Sequence, residues 1–448
     1  MNNQKTVIVI GAGIAGVSAA EKLIAKQYKV ILLEAHSDVG GRAKNKEGIP
    51  LGPMHVHEAG EYQGEGGIEA YLRAHPEFLF STNDLPSSQP IPALLEKYHI
   101  PLHTWENRML IVGDKAEAFN LEKFESIYQN YSKVFYKSYF VELSNAGQTS
   151  IEEQLARKLI TLYEEAYSGL NIQELTEIMQ HAKERGIEFF KYGDSHLWLG
   201  DGGYYRLIKS MLNDLKNVEL HLNTRVKKIE FIGDKVVVST IEGHQFEGHA
   251  VIPTLPIGVL QKGEVEIKGI SELKKASIQN FKMGMMNKVF FKYEQQFWDN
   301  VPSLFRILNT DLGKKPIQLL MNCSKQLTDV KPTLAAGFFA DAAIQDKNIL
   351  IEDTLNAIKE AWPNAPSPIS VEVTAWHMDP NCYGSYAGFS NKTKAVDIVN
   401  LMQPEWNGRF VLAGDGIVPV GLQGCFHGAY ISGLRAARLV HNTLSERS

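Results

Sequence analysis

Apolar and polar positions follow two periods along this chain, and each change of period marks an element. Residues 5 to 10, KTVIVI, are almost continuously apolar, which predicts a strand buried on both faces. The stretch VSAAEKLIAKQY, 17 to 28, carries its apolar positions at helical spacing, and residues 30 to 34 return to a strand that ends on Glu34. Strand, helix and strand in that order predict a parallel sheet flanked by helices, an α/β arrangement. Farther on, VELHLNTRVKKIEF, 218 to 231, reads as paired strands. RFVLAGD, 409 to 415, reads as another, leading through a glycine-rich turn into a long amphipathic helix.

The middle of the chain is mixed. IPALLEKYHI (91 to 100), EKFESIYQNYSKVFYKSYF (122 to 140) and SIEEQLARKLITLYEEAY (150 to 167) predict amphipathic helices that wall a core or pocket. TLAAGFFA (333 to 340) predicts a strand and IEDTLNAIKEAW (351 to 362) a helix, so the whole is α+β. The stretch from 71 to 91 is rich in Pro and Ser and reads as a surface loop or lid. In MGMMNKVFFKY, 283 to 293, a period of two places Met286, Lys288, Phe290 and Lys292 on one face. A lone lysine on such a face ordinarily packs its stem and sends its ammonium to water.

Composition narrows the field. At 448 residues the chain predicts two intimately packed domains, and 44% hydrophobic with 22% charged residues suits a globular protein. A net charge of -5 offers no basic field for nucleic acid or an anionic membrane. Cys323, Cys382 and Cys425 have neither disulfide nor zinc spacing, and MNNQKTVIVIGAG reads as running directly into a strand, so no secretory leader and a reducing, cytoplasmic setting are expected.

GAGIAG between the first strand and helix gives Gly11, Gly13 and Gly16 separate tasks. The first permits the tight turn, the second lets backbone approach a pyrophosphate, and the third lets the helix lie close to the sheet. Ile14 and Ala15 open the helix, whose N–H groups and dipole favour phosphate. Glu34, followed by Ala35, would accept from the ribose hydroxyls and disfavours a 2'-phosphate. Gly40, Gly41 and Arg42 suit a second approach to the same pyrophosphate. EAHSDVGGRA resembles the extended fingerprint of flavoproteins that hold FAD in elongated form. By that likeness Val226 offers a backbone contact to adenine, Gly414 and Asp415 lie along the ribitol or pyrophosphate, and the helix start near Gly424 aims its dipole at the flavin.

Taken in order, these segments resemble the flavin-containing amine oxidases, which include monoamine oxidases, polyamine oxidases and a histone demethylase branch. The likeness rests on VIVIGAGIAGVSAA, LLEA, GGRA, EAGEY (58 to 62), GDGGYYRL (200 to 207), VIPTLPIGVLQ (251 to 261), NKVFF with the following FW, TAWHMDPNCYGSYA (374 to 387) and the AGD to HGAYISG tail. It implies a Rossmann-like FAD-binding domain of the two-dinucleotide-binding type, formed by 1–70, 201–268 and 383–448. A mixed-sheet and helical substrate domain would comprise 71–200 and 269–382. It implies that Lys288 holds a water at flavin N5, and that hydride from the carbon beside an amine nitrogen reduces the flavin. Imine hydrolysis and reoxidation by O2 to hydrogen peroxide would follow. Tyr383 and Trp376 are candidate substrate walls, and Cys425 stands where many relatives carry an aromatic ring. Gly60 and Glu61 would lie beneath the flavin, with Glu61 facing the substrate.

Cys382-Tyr383 has the order of a covalent flavin tether, yet the surrounding pattern also matches relatives that bind FAD without a bond; the noncovalent form is expected. His55, His57 and Glu58 lack further ligands, so no metal is expected. The expected substrate is a small amine, polyamine above others, and the expected state is a monomer or homodimer. Oxidation of C–C bonds, of L-amino acids, or a catalytically silent FAD-binding protein are the alternatives.

Overall fold

A computed structural model describes residues 4–56, 90–104, 107–138, 150–182, 184–185, 197–299, 303–315, 317–325, 327, 330–419 and 422–446. The chain is a mixed α/β protein that divides into two compact units. One is built from Met1–Leu102, Ala182–Met283 and Met378–Ser448, the other from His103–His181 and Gly284–His377. Among the described residues no helix is long and apolar enough to cross a membrane. Most of the Pro- and Ser-rich stretch, 71 to 89, lies outside the described residues, and a helix, Pro90–Lys97, follows it.

The first unit is organised by a parallel sheet in the order Ala250–Pro253, Thr6–Ile10, Lys29–Leu33, Val218–His221. Val7, Ile8 and Val9 are fully buried in its centre, which explains the continuous apolar run. Burial of about 1.5–3 kcal/mol per large aliphatic side chain makes this sheet the platform that fixes the loops at its ends. The helix Ile14–Ala25 leaves the first strand and packs on the final helix, Phe426–Ser445. They approach so closely that a Cβ at Gly433 would lie 2.1 Å from Ala15 O and from Ser18 Oγ. Ser18 Oγ donates across this contact to Tyr430 O at 2.9 Å.

Two expectations change here. Val218–His221 and Val226–Ile232 do not pair with each other: the first joins the parallel sheet, and the second pairs antiparallel with Lys235–Thr240 in another. The turn between them is pulled aside, because Asn223 N–H donates to His36 O and Thr224 N–H to Glu34 O. RFVLAGD runs beside Ala250–Pro253 through bonds such as Val251 N–H to Arg409 O (2.7 Å), pairing at Phe410 without forming a full strand.

The second unit centres on a six-stranded sheet in the order Ser370–Val373, Met286–Lys292, Thr333–Phe339, Ile317–Asn322, Leu304–Asn309, Asn107–Val112. Neighbours are antiparallel except the last pair. One face packs Val289, Phe291, Phe305 and Leu320 with Leu350 and Ile358 of the helix Lys347–Ala361. The other packs Leu308 and Ile317 with Phe124 of the helix Leu121–Ser138 and Leu155 and Leu159 of the helix Ile151–Ser168. By strand alternation Lys288 and Phe290 belong to this second face.

Candidate cofactor and amine site

In the first unit the three glycines of the opening turn are glycines for different reasons. Gly11 sits at φ +103°, and a Cβ there would lie 2.5 Å from Thr254 Oγ1; a Cβ at Gly16 would lie 1.9 Å from Gly11 O. Gly13 is unlike both, since its Cβ would meet only the Cα of Gly41, at 3.9 Å. Protein packing therefore does not demand a glycine at 13, whereas close approach of a ligand to the backbone would. Gly13 also caps the helix Ile14–Ala25 with no side-chain hydrogen bond, and Ile14 and Ala15 in its first turn are buried. A buried, uncapped helix start facing a second glycine turn suits a phosphate-bearing ligand.

The acid end is equally built. Glu34 is 5% exposed, yet its carboxylate is held by two backbone donors, Ala12 N–H to Oε2 at 2.7 Å and His36 N–H to Oε1 at 2.9 Å. A carboxylate has about four acceptor sites, so two remain for a pair of hydroxyls. Thr224 N–H, donating to Glu34 O at 2.8 Å, brings buried Val226 to the same end of the sheet. Ala35, half-buried, follows the acid.

Arg42 and Asp415, expected to face a pyrophosphate and a ribitol, are brought together as a forked pair. Nη1 meets Oδ2 at 2.9 Å and Nη2 meets Oδ1 at 2.5 Å. Burial alone would raise Asp415; the Arg42 charge and hydrogen bonds outweigh it and hold the carboxyl below its ordinary value. Asp415 Oδ2 also accepts from Ala387 N–H at 2.8 Å. Gly414, at φ +133°, leads into this aspartate. Gly424 N–H donates to Asp415 O at 3.1 Å, and Cys425 then caps the helix Phe426–Ser445 without a side-chain hydrogen bond.

Tyr383 has its hydroxyl bound to Glu264 and the Lys262 ammonium 5.5 Å above its ring. Two other tyrosines, Tyr204 and Tyr386, lie within electrostatic range of Cys425, their hydroxyls pushed upward first by burial and then by that thiol. Tyr204 also stacks on Phe426 with ring centroids 3.7 Å apart. Tyr204 follows the glycine pair of GDGGYYRL, and that local pattern does not announce its packing. Cys382 is buried, and burial pushes its thiol up to about 11. Gly60, Glu61, His57 and Glu58 lie outside the described residues, and His55 Nδ1 accepts from Trp198 Nε1 at 2.5 Å.

Lys288 and Trp376 belong to the second unit. Lys288 is 4% exposed, and burial lowers its ammonium to about 8, opposed by the neighbouring Cys323. Its strand is fixed by Asn287 on the opposite face. The Asn287 carboxamide donates to Ala343 O (2.7 Å), and its Oδ1 accepts from Trp376 N–H (3.0 Å) and Thr374 Oγ1 (3.2 Å). Thr374 Oγ1 in turn accepts the Lys288 N–H at 2.7 Å. The backbone of the lysine is thus tied to the segment that carries Trp376. Arg306, also buried, shares a cross-strand row with Lys288 through Gly337 and Leu319.

A family model for flavin containing amine oxidoreductase matches residues 14–441. The chain is 27% identical to "Probable polyamine oxidase 4" of Arabidopsis thaliana over its whole length, spanning 89% of that protein. It is 25% identical to "Polyamine oxidase 5" of Oryza sativa subsp. japonica, with 98% of this chain and 88% of that one covered. It is 24% identical to "Lysine-specific histone demethylase 1 homolog 3" of the same rice, where 96% of this chain spans 53%, about half, of the relative.

Proposed function

The chain belongs to the flavin-containing amine oxidoreductases, and on that premise we propose that it is an FAD-dependent amine oxidase acting on a polyamine or another primary or secondary amine. Bound FAD would supply the two-electron acceptor for hydrogen lost from the carbon beside the amine nitrogen; O2 would take the electrons to give hydrogen peroxide, and water would split the imine into an aldehyde or ketone and the released amine or ammonia. In the Rossmann-like first unit, the Gly11, Gly13 and Gly16 turn, the Ile14 and Ala15 N–H groups and Gly41 would hold the pyrophosphate. Glu34, with Ala35 beside it, would hold the ribose, and the Val226 backbone the adenine. Arg42 and Asp415 would neutralise each other beside the phosphates and ribitol, following Gly414. The helix start at Gly424 and Cys425 would direct its dipole to the ring. The FAD we propose is noncovalent, with the buried Cys382 thiol pushed up to about 11 and left unmodified.

The observation that carries the reading is Lys288. A buried lysine drawn to about 8 exchanges its proton near neutral pH, so Nζ can take a proton from, or return one to, a bound water. A neutral amine is needed for hydrogen loss, and a nearby proton acceptor promotes it. The demethylase relatives support a second reading, an N-methylated lysine substrate. The polyamine reading is preferred, because the chain spans 89% of a polyamine oxidase and 53% of a demethylase homologue. A panel of polyamines, primary amines, L-amino acids and N-methyl-lysine peptides, read by flavin bleaching and peroxide, tests both. Peroxide with polyamines is expected; bleaching by none of them overturns the enzyme assignment.

A further inference from the structure

The segment 379–387, DPNCYGSYA, is fastened at intervals to residues that adjoin the proposed cofactor positions. Asp379 Oδ2 accepts from Lys44 Nζ at 3.0 Å, two residues past Arg42. The Asn381 carboxamide nitrogen lies 3.2 Å from His36 Nε2, two residues past Glu34. Arg225, next to Val226, donates to Glu264 and to Pro380 O (3.1 Å), and Tyr383 donates to the same Glu264. At the other end Ser385 O accepts from Arg42 at 3.2 Å and Ala387 N–H donates to Asp415. Within this run Tyr383 has φ +53°, a conformation bulky residues rarely adopt unless their surroundings impose it.

We propose that 379–387 is a strap that governs how long FAD stays bound, with Lys44, Asp379, Arg225, Glu264 and Tyr383 as its positioning residues. The inference rests on the FAD reading of the first unit. The fastenings are of two kinds. The Arg42–Asp415 side chains are 21% and 7% exposed, whereas Lys44–Asp379 are 31% and 19% and Arg225–Glu264 are 29% and 35%. Salt screens the outer pairs more than the inner one. The strap therefore loosens from the ribose and adenine end, and added salt speeds cofactor release.

The test is flavin release from diluted holoprotein, followed by flavin fluorescence at low and high NaCl. The double variant Lys44→Met, Glu264→Gln is expected to release flavin faster by about 2- to 30-fold at low salt, from the ordinary worth of two partly exposed pairs, and to lose most of the salt dependence. Lys44→Arg keeps slow release, and the unfolding midpoint of FAD-free protein falls less in the double variant than that of the holoprotein. If the double variant does not fold, Tyr383→Phe, which removes one hydroxyl bond, is expected to quicken release about twofold. Unchanged release, a FAD-free midpoint that falls in parallel, or flavin that stays with acid-precipitated protein overturns the strap. A protein that takes up no flavin overturns the FAD reading itself, a distinct result.

Discussion

Two buried lysines, one in each unit, present the same titration in different surroundings. Lys274 is 1% exposed and Lys288 4%, and burial draws each ammonium to about 8. Lys274 donates to three backbone carbonyls, Asn400 O (2.5 Å), Leu401 O (3.0 Å) and Gln403 O (2.8 Å), at the end of the helix Ala395–Met402. Arg435 donates to Met402 O between them. Two cations thus satisfy the last carbonyls of a buried helix, which is where cations are favoured. Lys288 instead stands on a sheet face, near a Cys323 thiol that burial pushes to about 12 and so leaves neutral. A lowered pKa reports burial; the groups around the nitrogen decide whether its proton has work to do.

The comparison breaks most visibly under substitution. Lys288→Met is expected to slow amine-driven flavin reduction or reoxidation by about 100-fold or more without lowering the unfolding midpoint; stopped-flow absorbance and thermal melting check the two halves. Lys274→Met should do the reverse. It leaves buried carbonyls without a donor and costs about 2–4 kcal/mol in denaturant unfolding, while turnover per folded molecule is retained. If Lys274→Met slowed the chemistry as Lys288→Met does, the distinction would fail.

A smaller effect concerns the acid end. Glu34→Ala removes the acceptor for Ala12 and His36 N–H groups as well as the one proposed for the ribose, and FAD affinity by titration should fall about 10- to 100-fold. The smallest effect is shared by both lysines. Each has a folded-state value near 8, below the 10.5 of an ordinary lysine. Between about pH 8 and 10.5 the unfolded chain therefore binds more protons, and stability rises with pH. Replacing either lysine with methionine should flatten that rise in denaturant titrations, though only one replacement should touch the rate.

Local signals made the first strand, its helix and the acid strand legible to within a few residues, because a continuous apolar run, a glycine turn and helical spacing need no distant partner. SIEEQLARKLITLYEEAY was equally legible, since Ser150 caps the helix that it opens. The predicted 351 to 362 helix starts earlier, at Lys347, where the Asp346 side chain accepts from Asn348 N–H. What could not be read depends on long-range contacts. The strand predicted over 283 to 293 is interrupted at Met285, whose N–H donates to Gly169 O. The partners of Asn287 at Ala343 and Trp376, and the turn of Tyr383 toward Glu264, likewise belong to the fold and not to any local pattern. Tyr204 and Tyr386 beside Cys425 were missed because no spacing joins residues so far apart.

The most direct measurement is anaerobic single-turnover reduction of the bound flavin by an oxidisable amine across about pH 6–10, for the native protein and Lys288→Met. The expected result is a rate that rises as pH passes about 8 in the native protein, with that inflection absent from the variant. Equal rates and superimposable profiles would contradict a proton-carrying Lys288.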